Sequence, residues 1–101
     1  MNNSLSVLLL SMAAGLALPA HAADADAAQA LAKKSDCMKC HSVSATKDGP
    51  SFKEVAAKYK GQADAEAKLV THLTTKPEVH QNAKTKDPNE VKNLVQWILA
   101  Q

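Results

Sequence analysis

Apolar positions fall into one continuous run followed by four shorter periodic stretches. Leu5 to Leu18 is almost wholly apolar, yet short for a bilayer-spanning helix, and Ala20-His21-Ala22 behind it is a small-x-small cleavage pattern. Residues 1–22 therefore read as a signal peptide, with one domain over 23–101, although Met1 to Ser4 carries no Lys or Arg. Residues 24–36 predict a first helix, capped by Asp24 or Asp26, with Ala27, Ala30, Leu31 and Lys34 at helical spacing. Phe52, Val55, Ala56 and Tyr59 fall at i, i+3, i+4 and i+7, a second helix that Gly61 ends. Asp64 is the expected cap of a third, whose inward positions are Leu69, Val70 and Leu73. Asp87-Pro88-Asn89-Glu90 is a start signal: an Asp cap, Pro at the first helical position and Glu three after the cap. Val91, Leu94, Val95, Ile98 and Leu99 then make a broad apolar face with Trp97 flanking it, expected to pack on the first helix, whose small Ala side chains allow close approach. Ser42–Pro50, with the turn signal Asp48-Gly49-Pro50, and Thr74–Lys86, broken by Pro77, have no such period. No segment reads as a strand, so the expected fold is all-α.

The chemistry is concentrated in Cys37-Met38-Lys39-Cys40-His41, between the first two helices. Two thiols two residues apart, with an imidazole directly after the second, are placed to bond the two vinyl groups of a haem and to ligate its iron from one face. A redox dithiol would need a βαβ context, which the pattern lacks. A zinc site would need two more ligands; past the leader only His72 and His80 remain, spaced wider than the His pairs of common fingers. A Pro keeps its carbonyl, so Pro50 offers an acceptor for the second ring N–H of His41; the same residues also read simply as a turn.

Composition agrees with a cofactor-centred domain. A chain this short has a marginal core of its own, and only Phe52, Tyr59 and Trp97 are aromatic, so a buried macrocycle would supply the missing apolar bulk. The net charge is +2, with no basic run and no aromatics interleaved with basic residues, which excludes a nucleic-acid binder. After cleavage of the leader no stretch could cross a bilayer, so no stable membrane insertion is expected.

Three segments resemble the small bacterial class I cytochromes c of the short-chain, four-helix, monohaem kind. They are the Cys37–His41 motif, Gly49-Pro50-Ser51-Phe52-Lys53-Glu54-Val55-Ala56-Ala57-Lys58-Tyr59, and Asn93-Leu94-Val95-Gln96-Trp97-Ile98-Leu99. The resemblance implies about four helices wrapped around one covalent haem c. Cys37 and Cys40 would form thioethers, His41 would be the proximal iron ligand, Pro50 would lie behind it, and His72 would lie near a propionate. It also implies periplasmic electron exchange with a donor and an acceptor protein, with Lys39 and Lys47 suited to a docking rim and no enzymatic activity. The departure is the distal ligand. The family expects a Met before the last helix, and this loop has none; Met1 and Met12 lie in the leader and Met38 between the anchors. His80, followed by Asn82-Ala83, is the expected replacement, with His72, Lys76, Lys84 or water as alternatives. A second imidazole favours ferric iron, so a lower potential than in Met-ligated relatives is expected. The runner-up is a small-gas binding or sensing protein with an open or displaceable distal site.

Overall fold

The computed structural model describes residues 22–101; the expected signal peptide, residues 1–22, lies outside the described residues apart from Ala22. Four helices follow in order: α1 (Ala25–Lys34), α2 (Phe52–Tyr59), α3 (Ala65–Thr74) and α4 (Pro88–Leu99), with a short 3-10 turn at Cys37–Lys39. Among the described residues there is no strand, and no helix is long and apolar enough to cross a membrane.

Each helix begins where its sequence allows the orphan N–H groups of a first turn to be satisfied. Asp24 accepts from Ala27 N–H at 3.1 Å, and Asp87 accepts from Asn89 N–H at 2.9 Å with Pro88 in the first turn. The reciprocal box forms at α2: Ser51 Oγ accepts from Glu54 N–H at 3.1 Å while the Ser51 N–H donates to Glu54 Oε1 at 3.3 Å. Glu90 does not complete a box with Asp87; its carboxylate accepts from the Thr85 hydroxyl instead. Asp64 takes the cap position of α3 without capping it, because its carboxylate turns to Lys68, four residues on, at 3.3 Å.

α4 is the spine against which the other three helices pack. On one side Leu94, Trp97 and Ile98 meet Ala28, Leu31 and Ala32 of α1 and Phe52 of α2; on the other, Val91 and Val95 meet Leu69. Trp97 is a core member, its ring edge-on to Phe52 at 5.5 Å, rather than a flanking residue. Burying each large side chain in this way contributes roughly 2 kcal/mol. The α1 stripe is Ala28, Leu31 and Ala32, while Ala27 and Ala30 face outward. The i, i+3, i+4 set starting at Ala28 is the one that brings α1 closest to α4. A reciprocal pair of hydrogen bonds fixes its height: Asp24 N–H donates to Asn93 Oδ1 at 2.8 Å, and Asn93 Nδ2 donates back to the Asp24 carbonyl at 2.9 Å.

The first helix ends two residues before its expected limit. Ser35 is its C-cap, and Asp36 enters the left-handed region at φ 59°, which Asp tolerates better than most residues. That reversal releases the chain from α1 and starts the 3-10 turn.

Candidate cofactor site

The turn after Asp36 brings three donors together. The Cys40 and His41 N–H groups both donate to the Cys37 carbonyl, at 3.2 and 3.0 Å, so both thiols and the imidazole arise from one tight turn. Cys37 is half-buried and Cys40 exposed. Burial, with the Asp36 carboxylate alongside, pushes the Cys37 thiol up, favouring its protonated form.

The loop from Ser42 to Pro50 folds back behind His41. Its Nδ1–H donates to the Pro50 carbonyl at 2.6 Å; since a carbonyl only accepts, Nδ1 carries the proton, and in the neutral ring Nε2 is the nitrogen with the lone pair. Gly49 N–H donates to the Cys40 carbonyl at 2.8 Å and lies flush against the ring: a Cβ there would stand 2.5 Å from His41 Cε1. The glycine is required for close approach, beyond any role in the turn. Phe52 stacks on the same imidazole, 5.5 Å between centroids at 23°. Its backbone is anchored by Phe52 N–H to Ser42 O and Lys53 N–H to Val43 O, at 2.9 and 3.1 Å.

Across the cleft, residues 75–87 form no helix, as Pro77 and the lack of a period predict. They place His80 opposite His41, with ring centroids 6.0 Å apart. His80 Nδ1–H donates to the Gln81 carbonyl at 2.8 Å, which by the same logic leaves its Nε2 bare. His72, on α3, lies 4.8 Å from the His80 ring, and burial followed by the charges of His80, Lys76 and Lys58 holds its pKa below the usual 6.5. Lys39 pairs with Asp36 at 3.6 Å, and Lys47 Nζ donates to the Met38 carbonyl at 2.9 Å.

Between the two imidazoles the cleft has two lobes, of about 370 and 430 Å³. Both are bounded by Cys37, His41, Pro50, Leu73, His80 and Leu94. The wider one is walled by Phe52, Val55, Leu69 and Ile98, with Glu54, Lys58, Tyr59 and His72 as further polar groups. Among the described residues no cluster of three or more His, Cys, Asp or Glu side chains could hold a bare metal ion. A flat, apolar group carrying its own metal fits better: two thiols from one turn at its edge, one bare imidazole nitrogen behind, another in front, and apolar walls between.

A cytochrome c family profile matches residues 25–101. The chain belongs to the cytochrome c family. It is 35% identical over 98 residues to cytochrome c-551 of Pseudomonas aeruginosa, an alignment covering 92% of this chain and 94% of that protein. With cytochrome c-551 of Allochromatium vinosum it shares 41% over 75 residues, 68% of this chain and 80% of that one. The crystal structure of the class 1 cytochrome MtoD from Sideroxydans lithotrophicus ES-1 matches with a TM-score of 0.73 and 49% identity, over 78% of this chain and 97% of that chain. This is a small class I cytochrome c with an all-α fold, a carrier of one covalently bound haem c and a member of an electron-transport family.

Gly49, Phe52, Ser35 and Gln81 are the site residues that sequence reasoning did not single out. Only Gly49 left a signal, beside Pro50 in the loop after the motif; the other three act through contacts that no spacing encodes.

Proposed function

We propose that this cytochrome is a periplasmic one-electron carrier in which Cys37 and Cys40 hold the haem by thioethers and His41 and His80 ligate its iron. When bound, the haem supplies the one-electron ferric–ferrous couple. His41 binds through Nε2, oriented by the Pro50 carbonyl on its other nitrogen, and the Gln81 carbonyl orients His80 in the same sense. His72 lines the wider lobe with Lys58 and Tyr59, a donor group suited to a propionate. Lys39 and Lys47, on and beside the attachment turn, suit the rim where redox proteins would dock, and residues 1–22 would be the export signal.

The observation that supports the ligand assignment is that both imidazoles line the same cleft and each hydrogen-bonds a backbone carbonyl through Nδ1, which leaves Nε2 of the neutral ring as the available donor atom. The ring centroids of His41 and His80 are 6.0 Å apart, so both imidazoles would be within reach of one haem iron held in the cleft. The one Met in residues 22–101, Met38, lies between the two anchor cysteines and does not compete for the position. A second imidazole favours the ferric state, which gives a lower potential than a thioether would.

The paramagnetic-resonance spectrum of the ferric protein tests this reading. A low-spin bis-imidazole signal in the wild type that turns high-spin in His80→Ala is the expected result. An unchanged low-spin spectrum in that variant would remove His80 from the iron. His80→Met should raise the potential by on the order of 0.1 V, a fraction of the roughly 0.8 V that axial ligands span.

A further inference from the structure

The segment that carries His80 is tied to the end of α1, immediately before the attachment turn. Ser35 is 1% exposed. Its hydroxyl oxygen accepts the Lys84 N–H at 2.9 Å, and its carbonyl accepts Gln81 Nε2. The neighbouring Asp36 carboxylate holds the Lys84 ammonium at 2.8 Å. The three ties reach back between 46 and 49 residues and fall one and four positions after His80. Before and beside it, the segment is held only through α3 and itself: His80 N–H to the Lys76 carbonyl at 3.0 Å and Ala83 N–H to the Leu73 carbonyl at 2.8 Å.

Ser35 has no packing reason to be serine. A buried hydroxyl must be partnered, and an alanine would fill the same space without that demand. Its carbonyl is one of those that a helix end leaves without an intrahelical partner, and Gln81 satisfies it from across the cleft. Both oxygens of Ser35 thus accept from residues 81–84, while its N–H closes α1 on the Leu31 carbonyl at 2.9 Å.

We propose that Ser35 is a positioning residue: with Gln81 and the Asp36–Lys84 pair around it, it holds the distal segment in register with the attachment turn and keeps His80 on the iron. The proposal rests on His80 being the second axial ligand. Displacement of His80 would require the segment to move, and these ties are what hold the segment. Ser35 therefore sets how fast an added ligand replaces His80.

The test is the rate at which cyanide binds the ferric, haem-loaded protein. Ser35→Ala should bind about tenfold faster, the factor expected for the loss of one buried hydrogen bond, and Ser35→Thr, which keeps the hydroxyl, should return towards the wild-type rate. Lys84→Gln, which alters an exposed side chain and leaves the buried hydroxyl intact, should give about a threefold increase, as a surface ion pair warrants. Asp24→Ala, which removes the cap at the far end of α1, should destabilise the protein without changing the rate. Exchange of the Lys84 amide, slow in the wild type, should become fast in Ser35→Ala. Unchanged cyanide rates in both Ser35→Ala and Lys84→Gln, or an equal increase in Asp24→Ala, would overturn the proposal while leaving the ligand reading intact. Loss of the ligand reading has its own signature, an unchanged low-spin spectrum in His80→Ala, and takes this proposal with it.

Discussion

The two walls of the cleft are built in opposite ways. The His41 wall is local: Asp36 reverses the chain, one 3-10 turn carries both thiols and the imidazole, and Gly49, Pro50 and Phe52 brace the ring from within eleven residues of it. The His80 wall is an irregular segment whose own sequence fixes little beyond the bond from His80 to its neighbour Gln81. Its position comes from α3 and from Ser35 and Asp36, more than forty residues away. Local bracing costs little chain entropy, because the ends of the loop are already close; bracing across a long loop depends on the rest of the fold being in place. On the proposed reading, a change in the His41 wall would strike the attachment turn, and one in the His80 wall would shift the proposed distal ligand.

The largest expected difference follows from removing the anchors. Cys37→Ala with Cys40→Ala should yield a chain with no covalently attached haem, read by intact mass, whereas His80→Ala should keep the haem at full stoichiometry. A haem-free His80→Ala chain would erase the distinction between the walls. Leu94 lines both lobes and is fully buried in the core. Leu94→Ala should cost about 3 kcal/mol in urea unfolding, the usual range for a buried leucine. Gly49→Ala, which overpacks against His41, should cost about 2 kcal/mol and lower Tm by about 10 °C. Gln81→Ala on the opposite wall should cost only about 1 kcal/mol, one hydrogen bond.

The smallest effect is acid sensitivity. The Lys84 hydrogen bond, with Lys39 and Lys84 charges behind it, holds the Asp36 carboxyl below its ordinary 3.8, and the Thr46 hydroxyl followed by the Ser51 N–H holds Glu54 below 4.5. A depressed folded pKa gives stability that is present above the unfolded value and lost as pH falls through the folded one. Tm should therefore decline as pH drops below about 4.5, the usual model value for Glu. Asp36→Asn, which tolerates the same left-handed backbone, should reduce the loss below pH 4 by a degree or two, since the group is exposed. A decline of unchanged size in this variant would assign the acid limb to Glu54 alone.

Helix positions were legible because they depend on neighbours three and four residues apart. The stripes of α2 and α4, the Asp24 and Asp87 caps and the stop at Gly61 all appear where the residues put them. The α1 face was misread because an Ala-rich helix offers several equivalent stripes, and only docking on α4 selects Ala28, Leu31 and Ala32. Asp64 was misread because a carboxylate at a helix start has two partners in reach, the free N–H groups and a lysine four residues on.

By itself the sequence determined the four helices, the thiol–thiol–imidazole turn that marks a covalent haem, and the absence of methionine from the loop between the third and last helices. These are matters of residue identity and short spacing, which neighbouring backbone geometry reads directly. Tertiary structure alone decided that the His41 and His80 rings come within 6.0 Å of each other, that Gly49 must be bare behind His41, and that a buried serine at the end of α1 holds the opposite wall. Those facts join residues up to 49 positions apart, and the distance between them exists only once α4 has gathered the other helices around itself.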